Sequence, residues 1–180
     1  SEEDNVDHPI SFYAATKKAG ELIAHYYHHL TGINVTILRF FNVYGPWGRP
    51  DMMPWIFTEN ISTGKAITVN NCGDTWKDYT YITDIVRGVV AAIDHPFPFE
   101  IINLGNNTPV HLKKCIEIIE KETGKKALME MRPMQPGDVK KSCADVSKAR
   151  QLLHWEPTTK METGLVEFIR WYQAYTEGHQ

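Results

Sequence analysis

The sequence predicts an α/β or α+β chain whose N-terminal part is the tail of a larger sheet. Helical and extended patterns alternate along its 180 residues, as packed layers of helix and sheet require. The run "INVTILRFF" (33 to 41) is β-branched and almost wholly apolar, which reads as a strand buried on both faces. No GxGxxG or GxxGxxG occurs anywhere, although a self-contained doubly wound domain carries such a loop in its first βα turn.

Taken in order, the chain opens on "SEEDNVDHP", an acidic, polar segment that suits a loop inside a protein better than the start of a domain. "PISFYAATKKAGELIAHYYHHLTG" reads as a long helix stopped at Gly32, with Ala14, Ala15, Ala19, Leu22, Ile23 and Tyr26 as its packing face. The strand 33 to 41 follows, then a glycine- and proline-rich loop, "NVYGPWGRPDMMP". A helix is expected from Met53 to Thr63, with Gly64 as its stop. "KAITVNNCGDTWKDYTYI" holds two short strands around a turn. Thr83 is in position to cap an apolar helix over 84 to 94. "FEIINLG" is a strand, and "HLKKCIEIIEKETG" an amphipathic helix with Leu112, Cys115, Ile116 and Ile119 on one face and Gly124 at its end. "KALMEMRP" is a further strand, "DVSKARQLLHW" a short capped helix, and "METGLVEFIRWYQAYTEG" a terminal helix.

Composition limits the function. Hydrophobic residues at 42% and charged residues at 23% describe an ordinary folded protein of one domain or slightly more. A net charge of -3 argues against a general nucleic-acid binder. Cys72, Cys115 and Cys143 lie far apart with no metal-site spacing, so buried or half-buried free thiols and a reducing, cytoplasmic setting are expected. No metal site and no membrane segment is expected, because the longest apolar run falls well short of the ~20 residues a spanning helix needs.

Two stretches can carry chemistry. Tyr13 and Lys17 stand four apart, hence one turn apart on one helical face. An unperturbed phenol titrates near pH 10, and a neighbouring ammonium favours its ionised form. Such a pair can take a proton from an alcohol and return it to a ketone. The plainer reading is a packed ring beside a snorkelling lysine. The loop "FNVYGPWGRPD" adds Asn42, at the C-terminal end of a buried strand where ligand sites of open sheets lie. It also adds Arg49, whose fork fits a phosphate or a carboxylate, or else a surface ion pair. Trp47 and Trp55 are expected to close a loop over the core. Lys77, Asp78 and Asp84 read as a solvated rim and a helix start.

Taken together, "YAATKKAGE", "LRFFNVYGPWGRPDM", "DYTYITDIVRGV", "NLGN", "QPGDV" and "AD" resemble the extended short-chain dehydrogenase/reductase family, nearest its UDP-glucuronate 4-epimerases. The resemblance runs over essentially the whole chain but matches only the C-terminal half of such an enzyme. It implies the C-terminal part of an extended Rossmann-type, doubly wound fold with a smaller α/β substrate-binding domain, the glycine-loop half being absent. Residues 1–50 are then the last catalytic helix, strand and loop of the NAD-binding domain. Residues 51–180 are mainly the substrate-binding region with returning Rossmann elements.

The implied activity is NAD-dependent 4-epimerisation of a UDP-sugar, UDP-glucuronate to UDP-galacturonate, through a 4-keto sugar and without net redox. The resemblance makes Tyr13 the proton acceptor and Lys17 its partner and a ribose ligand of NAD, with Phe41 beside the nicotinamide. Asn42, Arg49, Lys77, Gln135 and Asp138 become the substrate-binding set. It further implies a homodimer built through the Tyr13 helix, and a 180-residue piece that is inactive alone and poorly protected over residues 1 to 50. A nucleotide-sugar dehydratase or decarboxylase, or a non-catalytic fragment that binds a nucleotide sugar or completes another sheet, is the alternative. Two positions depart from the pattern. Asn42 stands where glucuronate epimerases commonly have threonine, and Thr83 replaces an aspartate. Lys77 stands where arginine is usual, keeping the charge without the fork.

Overall fold

Helix and strand alternate through the computed structural model, which describes residues 1–135 and 137–178. In chain order the elements are α1 (Phe12–Thr31), β1 (Val35–Phe40), β2 (Val43–Tyr44), α2 (Met53–Thr63) and β3 (Ala66–Asn70). A 3-10 turn (Asn71–Gly73) leads to β4 (Trp76–Lys77), β5 (Thr80–Tyr81), α3 (Ile82–Asp94), β6 (Phe99–Leu104) and β7 (Val110–His111). The chain continues as α4 (Leu112–Thr123), β8 (Leu128–Arg132), α5 (Ser147–Leu153) and α6 (Met161–Glu177). β1 pairs with β6, β2 with β5 and β3 with β8, all in parallel, while β4 and β7 are antiparallel. Parallel ladders need crossover connections, and here helices supply them.

Helix boundaries follow local chemistry. Ser11, in extended conformation, caps α1 by accepting from the Ala14 N–H at 3.1 Å. Gly32, Gly64 and Gly124 end α1, α2 and α4 in the left-handed region at φ 70°, 74° and 68°. Pro54 lies in the first turn of α2, where its missing N–H costs nothing. α5 starts without a cap from Val146; Asp145, one residue earlier, instead accepts from the Ser147 N–H at 2.8 Å.

Two apolar clusters form. One joins α2, α4 and α6 to β3 through Phe57, Ile61, Ile67, Ile119, Leu165 and Phe168. The other joins β6, α3 and α5 through Ile85, Ile102, Leu104, Leu153 and Trp155, with Leu38 of β1 packed against it. Adjacent strand residues face opposite ways, so Leu38 meets this cluster while Arg39 meets α1, where its fork grips Glu21 at 2.7 and 2.8 Å. Helical layers therefore flank β1 on both faces.

Several sequence expectations change. β1 is half-buried rather than buried on both faces, because β6 is its one strand partner among the described residues. α1 contains no buried residue, and Leu22, Ile23, Tyr26, Tyr27 and Leu30 are each more than half exposed. Three short strands, β3, β4 and β5, replace the expected two. Thr83 lies inside α3 and caps nothing, since the helix begins at Ile82. Cys115 is buried, its thiol pushed up to about 12 by burial, but Cys72 and Cys143 are exposed. Among the described residues no helix is long and apolar enough to cross a membrane, and no His/Cys/Asp/Glu group could hold a metal.

Candidate active site

Three segments carry the candidate residues. The first is the N-terminal turn of α1. Tyr13 is 70% exposed, and the Lys17 ammonium lies over its ring, 5.2 Å from the centroid. The i, i+4 spacing thus does bring the two together, and exposure leaves the phenol open to a ligand.

The second segment leaves β1. The Phe41 N–H donates to the Leu104 carbonyl at 3.1 Å and the Asn42 carbonyl accepts from the Thr80 N–H at 3.2 Å, so strand pairing continues on both sides of the turn. Phe41 and Asn42 are both half-buried. Gly105, which follows β6, packs so closely that a Cβ there would lie 3.3 Å from both the Phe41 Cβ and an Asp78 carboxylate oxygen, and would overlap Ala144. Gly45 opens the next loop at φ 143°, flat against Tyr81 and Ile82 where no side chain fits. Beyond it Arg49 grips Asp51 with both arms of its fork, one at 3.0 Å. This is the surface ion pair, its side chains 76% and 60% exposed, and Asp51 raises the Arg49 guanidinium.

The third segment is the loop around Gln135 to Val139, in which Pro136 lies outside the described residues. Gly137 sits at φ 80°, and a Cβ on it would point at the Ile10 carbonyl and Ser11, 3.8 and 3.9 Å away. The loop therefore lies over the cap of α1. The Asp138 N–H donates to the Gln135 carbonyl at 3.1 Å. Lys77 reaches across from β4 to the Asp138 carboxylate at 3.2 Å and to the Val139 carbonyl. Lys77 and Asp138, 61 positions apart, are thus brought together, while Gln135 joins them only through its backbone carbonyl.

Asp78 is a correction: it is 0% exposed, not a solvated rim; Asp84 does lie at a helix start, in the first turn of α3, but at 1% exposure it is buried. Asp78 accepts from the backbone N–H groups of Asn106, Asn107 and Ala144 at 2.7, 3.0 and 2.8 Å. Burial lifts its carboxyl above the ordinary range, and the three N–H groups oppose the rise. It thereby pins the strand of Lys77 to the loop beside Phe41 and to the segment after Asp138. Burial also pushes Asp84 up, but Arg87 and the Thr158 and Thr159 donors outweigh it and leave this carboxyl below its usual value. Asp84 ties α3 to the segment after α5. The only sequence signal for either is an aspartate beside a strongly apolar stretch.

Trp47 is also corrected: at 77% exposure it closes no core, and it meets Trp171 and Tyr175 across the surface instead. Trp55 does pack inward, against Phe168 and Tyr172.

A parallel strand ending in a turn, flanked by helices of which one presents a tyrosine–lysine pair, places the chain in the Rossmann-like α/β class. The chain belongs to the NAD dependent epimerase/dehydratase family, whose pattern its residues 1–105 match. It is 51% identical over 172 residues to an uncharacterized protein of Methanocaldococcus jannaschii, covering 96% of this chain and 53% of that one. It is 44% identical to UDP-glucuronate 4-epimerase 4 of Arabidopsis thaliana, covering 99% of this chain and 45% of the relative. Among solved structures, UDP-glucuronic acid 4-epimerase of Bacillus cereus, in complex with UDP-glucuronic acid and NAD, superposes with a TM-score of 0.90 at 35% identity. That match covers 96% of this chain and 56% of the other. The chain thus spans about half the length of the relatives it matches.

Proposed function

We propose that these residues are the C-terminal half of an NAD-dependent nucleotide-sugar 4-epimerase that interconverts UDP-glucuronate and UDP-galacturonate. The observation that carries the reading is the exposed Tyr13–Lys17 pair at the capped start of α1, under the loop that holds Asp138. Identity to the Arabidopsis epimerase over nearly the whole chain supports the substrate class.

The donor set fits one end of NAD: an exposed phenol and ammonium suit the nicotinamide ribose hydroxyls, and half-buried Phe41 offers an apolar flank. Bound there, NAD supplies the acceptor and donor of hydride. Tyr13 takes the proton of the sugar 4-hydroxyl and later returns it, while Lys17 stabilises the phenolate by its charge. Lys77 neutralises the diphosphate, and Asp138 and Gln135 close over the nucleoside. Asn42 holds the sugar diphosphate at the turn after β1. No glycine-rich loop of the kind that receives a pyrophosphate occurs in these residues, and we assign residues 1–50 to the cofactor domain and 51–180 mainly to the substrate-binding region.

The test is a panel of UDP-sugars given to the full-length protein, with UDP-glucuronate epimerised fastest. Arg49 is expected to exchange Asp51 for a charged group of the substrate. Arg49→Lys keeps the charge but loses the fork, so kcat/KM falls by roughly 10-fold or more, from ~1.5–3 kcal/mol per charge-assisted bond. An unchanged kcat/KM leaves Arg49 as Asp51's partner only. The α1 face bearing Ala15, Ala19, Tyr26 and His29 is assigned to a homodimer contact. Light scattering at micromolar concentration is expected to give the mass of a dimer, and a monomer mass removes that assignment.

A further inference from the structure

We infer that Glu21 and Arg39 are positioning residues, which set the register of α1 on β1 and so fix where Tyr13 and Lys17 stand relative to the turn at Phe41–Asn42. The inference rests on the proposed epimerase reading and adds two residues to it.

Glu21 follows Lys17 by four residues, as Lys17 follows Tyr13, so the three lie along one stripe of α1. At 3.6 residues per turn the stripe drifts by about 80° over the eight positions. The far end of this stripe is the end that is tied down. The Arg39 Nε and Nη2 donate to the two Glu21 carboxylate oxygens at 2.7 and 2.8 Å. Both side chains are mostly covered, 21% and 13% exposed. The Arg39 fork holds the Glu21 carboxyl below its usual range.

Position makes this tie matter. Arg39 lies two and three residues before Phe41 and Asn42, about 7–10 Å along the strand. Lys17 lies one turn, about 6 Å, up the helix from Glu21. The fork therefore closes a short loop of rigid elements whose other side is the site. Within these residues α1 buries no side chain fully, and the Glu21–Arg39 fork is its two-pronged tie to β1. His25 and His28 meet Phe99 through their rings at 4.9 and 5.6 Å, but these contacts lie farther down the helix. A fork fixes two directions at once, whereas ring contacts of this kind permit sliding. Reactions that depend on aligned groups lose about 10²-fold in rate for a misplacement near 1 Å.

The experiment compares full-length wild type with Glu21→Gln, Arg39→Gln and the double variant. Each single change is expected to lower kcat by roughly 10–100-fold while KM stays within about 2-fold. The double variant should match the singles, because one broken fork leaves nothing more to lose. A kcat that is unchanged, or losses that multiply in the double variant, overturn the inference. So does a loss that disappears once temperature is set at an equal distance below each variant's Tm, since that is a stability effect. Amide exchange over residues 13–17 reads the register without turnover. Faster exchange there in Glu21→Gln, with α4 and α6 unchanged, is expected, and exchange equal to wild type overturns the inference. If the wild type epimerises no UDP-sugar, the functional reading fails, and the exchange result alone then judges the fork.

Discussion

Full-length Tyr13→Phe retains its fold and loses turnover by ~10²–10⁴-fold, the range for removing a general acid–base group. The phenyl ring keeps the contact beneath the Lys17 ammonium, and at 70% exposure the lost hydroxyl leaves no buried partner behind. KM for the UDP-sugar should move little, because the hydroxyl acts on the proton in flight rather than on the diphosphate. Steady-state kinetics with a parallel melting curve check this. Near-normal turnover would leave the pair as an exposed ring–ammonium contact without a catalytic role.

Asp78→Ala has the largest expected effect on stability. It leaves the N–H groups of Asn106, Asn107 and Ala144 without their carboxylate acceptor. An orphaned buried donor costs about 1–3 kcal/mol, so the loss over the three donors is about 3 kcal/mol at the lower end. For a chain of this size that lowers Tm by roughly 6–12 °C. Asp78→Asn keeps one acceptor but turns an N–H2 toward an N–H, and should recover only part. Because Asp78 also fixes β4, surviving Asp78→Asn protein should bind a UDP-sugar more weakly through the displaced Lys77. Thermal melts and nucleotide titration read the two effects separately, and an unchanged Tm for Asp78→Ala would show that these donors find other partners.

The difference between these two residues explains what the sequence made legible. Tyr13, Lys17 and the caps at Ser11, Gly32, Gly64 and Gly124 depend on neighbours within a few positions, so spacing and residue type reveal them. The backbone donors to Asp78 lie 28, 29 and 66 positions away, and those to Asp84 are 74 and 75 away, although its Arg87 partner is only three away. No local pattern marks a carboxylate as buried when its donors come from such distant loops. β4 and β5 span two residues each, too short for an alternation to appear. The apolar run of β1 reads as doubly covered because composition records what a strand can bury, whereas burial depends on which strands flank it. Trp47 misleads in the opposite way: a large ring suggests a core, but at φ 63° in an exposed loop it faces outward toward α6. Lys77 and Asp138 could be named only through family resemblance, and their 3.2 Å contact then makes them one cluster.

The most direct measurement of the central claim is the product of full-length protein incubated with UDP-glucuronate, resolved by chromatography or NMR, with absorbance at 340 nm followed in the same tube. The expected result is approach to a fixed ratio of UDP-glucuronate and UDP-galacturonate from either side, with no accumulation of NADH. Formation of a decarboxylated or dehydrated sugar, steady growth of NADH, or recovery of unchanged UDP-glucuronate from folded, NAD-saturated protein would contradict it.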